Sequence, residues 1–207
     1  LATDIRIADL QFEEATGVQC DGVTTTTNRT TDTLLLRLSV DGFRDAMMWN
    51  HNTIEYHSVD PHKNNTIAYC HTHNSRVYCV YAGGENLAFV GNWFERSLTM
   101  HVVRITFARR LVLDSNRLEY SSSNQHALKL HAGQDINRYG QYSELIVLRN
   151  NTFRSTSPWP VAIGTQSASY IEYVRDVVLE KNTFYADPVS QLGALITCQE
   201  TTLRSNL

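Results

Sequence analysis

The stretch Leu111-Val112-Leu113-Asp114-Ser115-Asn116-Arg117-Leu118 carries the pattern that decides the fold. The pattern reads apolar, any residue, apolar, two residues of any kind, asparagine, any residue and a large apolar residue. It recurs along most of the chain, with asparagine at Asn52, Asn92, Asn116, Asn151 and Asn182. Weaker copies stand near both ends, where Leu10 and Asn206 occupy the asparagine position. A phrase repeated in this way is typical of a protein built from stacked structural repeats.

The distance between successive asparagines gives the size of the repeat. From Asn52 onward the intervals are 40, 24, 35, 31 and 24 residues, so 24 residues is the bare unit. Two of the longer intervals contain polar insertions, at residues 133–143 and 167–173. Because these insertions leave the phrase intact, we interpret them as loops between strands.

A second alternating segment precedes the phrase in each unit. It is clearest in residues 101–107 and 126–132, where apolar and polar residues alternate with period two. Shorter counterparts lie at residues 77–81, 161–163 and 194–196. No stretch of ten or more residues carries a helical apolar stripe with caps. The sequence therefore predicts an all-β chain of strands and turns.

A unit of this length holds two or three short strands and is too small to bury its inward side chains alone. Copies stacked about 4.8 Å apart, as neighbouring strands are, bury them together. We expect the repeated asparagine to adopt the left-handed backbone at a turn and to exchange side-chain hydrogen bonds with the asparagine of the next unit. The large apolar residue two positions later is expected to form an inward column of Ile54, Phe94, Leu118, Phe153 and Phe184.

Composition narrows the class of protein. The chain has 207 residues, 42% of them hydrophobic, and a formal net charge of −3, which fits one globular domain over residues 1–207. No apolar run approaches the roughly 18 residues of a membrane span. An acidic balance with Arg109-Arg110 as the only basic doublet disfavours nucleic-acid binding. Cys70 and Cys79 are expected either as a disulfide or as two buried thiols.

The repeated phrase gives the chain a resemblance to the right-handed parallel β-helix superfamily, typified by pectate lyases, alginate lyases, mannuronan epimerases, polygalacturonases and phage tailspikes. The resemblance covers residues 4–207 and implies a solenoid of about six to seven coils, uncapped or truncated at its ends. It implies an extracellular or periplasmic protein that holds an extended acidic polysaccharide along one stacked sheet, without a cofactor. The chain begins without methionine and ends inside a copy of the phrase, so we expect further coils or domains in a parent chain.

Outward side chains of the alternating segments supply the first candidate site. Aligning the two segments points every second residue inward, Phe107 among them, and leaves Arg104 beside Lys129 and Thr106 beside His131 outside. A cation neutralises a uronate carboxylate and acidifies the adjacent C5 proton, and a Lys, His or Arg removes that proton. This is the chemistry of polysaccharide lyases and C5-epimerases. We predict catalytic roles for Arg104, Lys129 and His131; the alternative is that the two cations are solvated surface residues.

Other histidines form two further groups. His101 and His126 begin the alternating segments at equivalent positions, which favours a stacked structural pair over a site. His71 and His73 lie two residues apart, on one face of an extended segment, and are the candidate metal ligands. A zinc site needs a well-spaced third protein ligand, which this spacing does not supply.

A short motif gives the second catalytic candidate. Asp60-Pro61-His62 resembles the Asp-Pro-His-Asp motif of mannuronan C5-epimerases, with Lys63 in the place of the last aspartate. The resemblance implies that Asp60 and His62 handle the C5 proton. The alternative is an ordinary turn, for which Asp-Pro is a common sequence.

Two classes of function are consistent with these features. The leading hypothesis is a β-helix that binds an extended acidic polysaccharide and cleaves it by β-elimination or epimerises it. The second is a non-catalytic β-helix that serves as a stalk, adhesin or tailspike-like shaft, or an inactive piece of an enzyme. Inverting hydrolysis is disfavoured because the sequence has no adjacent Asp pair with a third Asp.

Overall fold

The structure is a computed structural model that describes residues 2–13, 20–25, 30–49, 62–132, 143–156, 159–164, 172–187 and 194–207. These residues form twenty β-strands, and every strand pairing among them is parallel. No helix in this part of the chain has the length and apolar character to cross a membrane. The expected all-β class is confirmed for the described residues.

The strands stack in three rows, which we call the first, second and third faces. The first face consists of β1 (Ala2–Ala8), β4 (Thr30–Leu36), β7 (Lys63–Ala68), the second half of β9 (Tyr78–Val90), the second half of β11 (Val103–Asp114), β14 (Ser143–Arg149), β17 (Val174–Glu180) and β20 (Gln199–Arg204). The second face consists of β2 (Gln11–Glu13), β5 (Ser39–Asp41), β8 (His71–Ser75), β10 (Trp93–Ser97), β12 (Arg117–Glu119), β15 (Thr152–Ser155) and β18 (Thr183–Ala186). The third face consists of β3 (Val23–Thr25), β6 (Asp45–Trp49), the first halves of β9 and β11, β13 (Leu128–Leu130), β16 (Val161–Ile163) and β19 (Ala194–Ile196).

One pass of the chain through the faces forms a rung, and successive rungs pair along each face. Because β9 and β11 bend through the corner between the third and first faces, these two faces belong to one 13-stranded sheet, and the second face is a separate 7-stranded sheet. Long parallel sheets stacked in this way are compatible with a parallel β-helix.

Asparagines at the corner between the first and second faces form a continuous hydrogen-bonded ladder. The side-chain oxygen of Asn116 accepts from the backbone N–H and the Nδ2 of Asn92, both at 2.9 Å. The Nδ2 of Asn116 donates to the carbonyl of Phe89 at 2.8 Å and to Oδ1 of Asn151 at 3.0 Å. The same contacts continue through Asn182 to Asn206. The alignment expected for the repeated asparagine is therefore present.

The backbone reason given for asparagine is wrong. At this corner the left-handed conformation belongs to the residue that precedes the ladder position, at Asp9, Arg37, Tyr69, Gly91, Ser115, Asn150, Lys181 and Ser205. Side chains as different as tyrosine, lysine and serine adopt it, so the turn does not select asparagine. Asparagine is selected by its amide, which supplies both a donor and an acceptor to a buried corner.

The ladder extends through rungs that the sequence pattern did not reveal. Register aligns Ser39, His71 and Trp93, so the preceding residues Leu38 and Cys70 occupy the asparagine position. The N–H of Cys70 donates to Oδ1 of Asn92 at 2.9 Å, and Sγ of Cys70 accepts from the N–H of Leu38 at 3.4 Å. A thiol therefore replaces the amide in this rung.

The strand that opens the copy of the phrase at residues 47–54 lies on the third face. Met47 pairs with Val80 on the third face, one row away from the strands that precede the ladder asparagines. The alternating apolar residues Met47 and Trp49 match the start of the phrase, but their strand lies on the third face and not on the first. The predicted ladder and core residues Asn52 and Ile54 lie outside the described residues.

Inward columns build the core. Phe94, Leu118 and Phe153 are fully buried and follow one another along the second face, and Phe184 packs against the core at its end, as expected. Phe107 is buried but lies outside the core cluster. The register shifts between Ile105 and Ala108, so Ala108 takes the core position instead.

Alternating charges line the corner between the third and first faces. Lys63, Glu85, Arg109, Glu144 and Arg175 lie on successive rungs. The nitrogen-to-oxygen distances are 3.6 Å for Lys63 to Glu85, 3.0 Å for Glu85 to Arg109 and 3.3 Å for Arg109 to Glu144. Arg175 closes the series with an ion pair to Glu144. Each of the three inner charges therefore lies between two opposite charges.

Replacing a ladder amide should destabilise the protein more than replacing a neighbouring surface amide. Asn116→Ala removes the donor to the Phe89 carbonyl and the acceptor for the Asn92 N–H, both at a buried corner. Leaving such groups unsatisfied costs about 1–3 kcal/mol each, so we expect the free energy of unfolding in urea to fall by at least about 2 kcal/mol.

The matched control for this substitution is Asn150→Gly. Asn150 is exposed and left-handed, with φ of 55°, a conformation that glycine adopts without strain. We expect a change below about 1 kcal/mol. Equal losses in the two variants would contradict the assignment of the stabilising role to the ladder.

Candidate functional site on the third face

Register on the third face brings the predicted cations together. Arg104 of β11 pairs with Lys129 of β13, and the flanking pairs Val103–Leu128 and Ile105–Leu130 are fully buried. Since successive side chains alternate between the two sides of a strand, Arg104 and Lys129 lie on the outer side of adjacent rungs. The pairing of Arg104 with Lys129 is the one that was predicted by aligning residues 101–107 with residues 126–132.

Arg104 is held by aromatic residues of the rung before it. Its Nη1 donates to the hydroxyl of Tyr78 at 2.7 Å. Its guanidinium carbon lies 5.8 Å from the ring centroid of Tyr78 and 5.6 Å from that of Tyr81. Cation–π contacts of this kind fix the plane of the guanidinium.

A row of rings runs beside the cations. The rings of Tyr78, His101 and His126 stack in sequence, with centroids 6.4 Å and 5.1 Å apart, and Trp159 follows at 6.5 Å from His126. The backbone N–H of His126 donates to the ring nitrogen Nδ1 of His101 at 3.0 Å. His126 Nδ1 lies 2.7 Å from the Trp159 carbonyl, so it donates there. His101 and His126 thus form the stacked pair that their equivalent positions indicate.

Lys129 is buried despite its outward position. Its side chain crosses toward the next rung, where Ala162 leaves space, and Nζ donates to the carbonyl of Gly164 at 2.9 Å. Burial lowers the pKa of the Lys129 ammonium; the charge of Glu172 opposes this shift and that of Arg104 adds to it. A lysine in this setting loses its proton more readily than one in solvent.

His131 pairs with a carboxylate that sequence reasoning missed. Its Nδ1 lies 2.5 Å from Oε1 of Glu172, whose side chain is 1% exposed. Among the described residues, neither Nε2 of His131 nor Oε2 of Glu172 has a hydrogen-bond partner. Burial lowers the pKa of His131, and the bond and charge of Glu172 oppose that shift. Glu172 lies 41 residues from His131 and belongs to no copy of the phrase, so the sequence held no signal for it.

The second catalytic candidate is only partly described. His62 is buried just before β7, and its Nδ1 accepts from the backbone N–H of Thr30 at 3.1 Å and lies 2.9 Å from the Thr30 hydroxyl. The His62 carbonyl accepts from the N–H of Glu85 at 2.8 Å. These contacts tie successive rungs together. Asp60 lies outside the described residues, so its predicted role stays a prediction.

The predicted metal ligands lie on the second face. The His71 ring stacks between those of His73 and Trp93, with centroids 4.7 Å and 4.3 Å away. His73 pairs with Asp41 at 3.2 Å and His71 with Glu95 at 3.6 Å. Within the described ranges, no group of three or more His, Cys, Asp or Glu side chains is arranged to hold a metal ion. The metal assignment therefore has no third ligand in this part of the chain.

Of the two alternatives expected for Cys70 and Cys79, a disulfide or two buried thiols, the structure shows the buried thiols. Cys70 and Cys79 are buried free thiols, and Cys20 and Cys198 form no disulfide either. Burial raises the pKa of the Cys79 thiol to about 11, and it raises that of Cys70 as well. Protonated, buried thiols are poor nucleophiles.

Comparison with known proteins gives no match: no protein family, no curated protein and no solved structure is significantly similar to this chain.

The buried histidines should make the protein less stable in mild acid. Burial lowers the pKa of His101, His126 and His131. Below the unfolded value of about 6.5, the unfolded chain binds protons that the folded chain does not, so the free energy of unfolding falls as pH falls. We expect denaturant unfolding at about pH 5.5 to show lower stability than at about pH 7.5.

The double variant His101→Asn, His126→Asn tests the source of this dependence. Asparagine at position 101 retains an acceptor for the N–H of residue 126 but does not titrate. We expect the difference in stability between the two pH values to be smaller than in the wild type. An unchanged difference would show that other groups cause it.

Proposed function

We propose that this protein is a right-handed parallel β-helix that binds an extended acidic polysaccharide along its third face and cleaves it by β-elimination or epimerises it. One observation carries the proposal: Arg104 and Lys129 stand on the outer side of adjacent rungs, and both charges act on His131, which follows Lys129 by two residues. An extracellular or periplasmic location, where such polymers occur, belongs to the same proposal.

The spacing of the rungs suits a polymer. Neighbouring strands lie about 4.8 Å apart, which is close to the length of one sugar in an extended chain. A polysaccharide that runs across the strands therefore presents successive sugars to successive rungs. Arg104 and Lys129 would meet two consecutive residues, and the ring row of Tyr78, His101 and His126 would flank them.

The charges of the face suit an acidic sugar in particular. A uronate carboxylate bound to Arg104 or Lys129 is neutralised, which stabilises the negative charge that develops when the C5 proton leaves. An uncharged nitrogen is needed to take that proton. Burial lowers the pKa of both Lys129 and His131, so each gives up its proton more readily than it would in solvent.

A second function, a non-catalytic shaft, is favoured by a different observation. Arg104 and Lys129 already have protein partners, the Tyr78 hydroxyl and the Gly164 carbonyl. In a shaft these contacts would hold the rungs together, and no ligand would replace them. The alternating charges from Lys63 to Arg175 would add to that rigidity.

A panel of alginate, polygalacturonate and glycosaminoglycan substrates separates the two functions. Ultraviolet absorbance of unsaturated uronates reports β-elimination, and deuterium uptake at C5 in heavy water reports epimerisation. We expect activity on one polymer, lost by at least about 100-fold in Lys129→Ala or His131→Ala, as for removal of a catalytic acid or base. Absence of both turnover and binding for every polymer would leave the shaft.

Two further variants sharpen the assignment. Lys63→Ala removes a lysine from the first face, where Lys63 pairs with Glu85, and should leave activity unchanged. His62→Ala tests the motif-based candidate in the same assay. Full activity in His62→Ala would exclude His62 from the chemistry, whereas an equal loss in Lys63→Ala would show that the effect of Lys129→Ala is not specific to the third face.

A further inference from the structure

We infer that two copies of this chain associate through the outer side of the first face, antiparallel to each other, over the last four described rungs. The surface consists of the outer side of the second half of β11 and of β14, β17 and β20, and we call it the outer patch. The two-fold axis lies between β14 and β17 and runs parallel to the strands, so the rung order of one copy opposes that of the other. The third face stays free in both copies, and the association is therefore independent of the function proposed for that face.

A row of small, mostly apolar residues runs along the middle of the outer patch. The row consists of Val112, Val147, Val178 and Thr202, which pair in register on successive rungs. These residues alternate with buried residues of the core, such as Leu111 and Leu113, and so they point outward. All four are partly exposed. Sheets of parallel strands are usually covered on both sides, whereas the outer side of this one presents valines to solvent.

Leu145 is an exposed leucine at a position where the other rungs carry polar side chains. It is 49% exposed, and its φ of 57° lies in the left-handed region. The equivalent left-handed residues of the other described rungs are Asp4, Asp32, Asn64, Asn86, Arg110, Asp176 and Glu200. Left-handed backbone is unfavourable for leucine, and a side chain that stays half exposed gains little from burial within the chain. A contact outside the chain accounts for leucine at this position.

Leu145 borders a trough that can receive the same leucine of a second copy. The trough has a volume of about 530 Å³ and lies between the left-handed row and the apolar row of the last three rungs, where Val147, Asp176 and Val178 line it. With the axis between β14 and β17, Leu145 of one copy faces Asp176 of the second copy, at the wall of this trough. Its side chain can then insert beside Val178 of the second copy. Sheets packed about 10 Å apart bring the side chains of both into contact.

Charges along one edge of the outer patch favour the antiparallel arrangement. The series is Asp114, Arg149, Glu180 and Arg204, with one residue per rung and alternating signs. Reversal of an alternating series with an even number of members sets each charge against its opposite. Asp114 of one copy therefore faces Arg204 of the second copy, and Arg149 faces Glu180. Charge complementarity of this kind selects the partner and its orientation.

The opposite edge of the outer patch is complementary in the same arrangement. Arg110 and Glu200 occupy the first and the last of the four rungs in the left-handed row, so Arg110 of one copy faces Glu200 of the second copy. Glu144 likewise faces Arg175 of the second copy at the corner with the third face. Each of these charges meets its opposite.

Alternative arrangements of the same two surfaces bring like charges together. If the two copies ran parallel, Glu180 would face Asp176 of the second copy. If antiparallel copies were shifted by one rung, so that the axis passed through β17, Glu180 would face Glu180 of the second copy and Arg149 would face Arg204. The charges therefore specify both the orientation and the register of the dimer.

The outer patch has the size of a reversible interface. β14 and β17 are seven residues long. Four strands of that length, about 4.8 Å apart and with about 3.3 Å per residue, give a footprint of roughly 19 by 23 Å. Specific interfaces of standard size bury about 800 Å² on each partner, and this patch is smaller. We therefore expect monomer and dimer to exchange at micromolar concentrations.

Sedimentation equilibrium of the purified full chain between about 1 and 200 µM tests the association. We expect a monomer–dimer equilibrium whose dissociation constant rises at least about tenfold in Leu145→Asn. Asparagine occupies the equivalent position at Asn64 and Asn86, so unfolding of this variant in urea at low protein concentration should show no loss of stability. Leu98 is 53% exposed and lies outside the outer patch, so the matched control Leu98→Asn should leave the dissociation constant unchanged. A chain that stays monomeric throughout, or a dimer that Leu145→Asn does not weaken, would overturn the inference.

Charge reversal tests the orientation. Arg110→Glu and Glu200→Arg each create two contacts between like charges in their own homodimer, so each variant alone should associate at least about tenfold more weakly than the wild type. A one-to-one mixture of the two variants restores opposite charges at both contacts, and the mixed dimer should form about as tightly as the wild type. Within one chain these residues lie three rungs, about 14 Å, apart, so the recovery cannot arise inside a monomer. Arg110→Glu also loses an ion pair to Glu85 of its own chain, but this loss is the same in the homodimer and in the mixture. A mixture that associates no better than the single variants would contradict the antiparallel register.

The polysaccharide panel separates a second copy from another occupant of the trough. Leu145 lies on the first face, so Leu145→Asn should leave polymer binding and turnover on the third face unchanged. A monomeric chain that loses polymer binding in Leu145→Asn would show that the polymer occupies the trough, and the inference would fail. A dimer sensitive to Leu145→Asn in a chain that turns over no polymer would support the inference while the proposed function fails.

Discussion

The fold depends on satisfying backbone groups at a buried corner. Where the chain turns from the first to the second face, backbone groups face neither solvent nor a strand partner, and an orphaned polar group there is costly. The side-chain amide of Asn116 satisfies two of these groups: it donates to the carbonyl of Phe89 and accepts from the backbone N–H of Asn92. Because each amide also bonds to the amide of the next rung, the requirement is met for the whole stack at once, and rung after rung is fixed in one register.

The register of the rungs also determines which side chains become neighbours on the third face. Side chains of equivalent positions meet across rungs, so two residues separated by 25 positions in the chain, such as Arg104 and Lys129 or His101 and His126, become neighbours. The ladder corner and the proposed site are on different faces and share no residue, yet a slip at the first would separate the members of the second.

The sequence was most informative where one rule acts in every rung. The phrase predicted parallel stacked strands and the aligned asparagines, and the alternating segments predicted the pairing of Arg104 with Lys129, because alternation and repetition act locally. It misled at two ladder positions, which Cys70 and Leu38 occupy instead of asparagine, and at Met47, whose strand matches the phrase but lies on the third face. It was silent on Glu172, which lies in a segment between the repeats whose placement no periodicity constrains. It was also silent on the burial of Lys129, which depends on the small Ala162 of the next rung and on the Gly164 carbonyl.

The alternating charges at the corner between the third and first faces carry a consequence for how such a chain can lengthen. Lys63, Glu85, Arg109, Glu144 and Arg175 form a series of opposite signs, one per rung. Duplicating a single rung would set two like charges side by side at this corner, whereas duplicating two together preserves the sequence of signs. If the stack lengthens by gene duplication, adding an even number of rungs therefore keeps opposite charges adjacent, whereas adding an odd number places two like charges together and destabilises the corner.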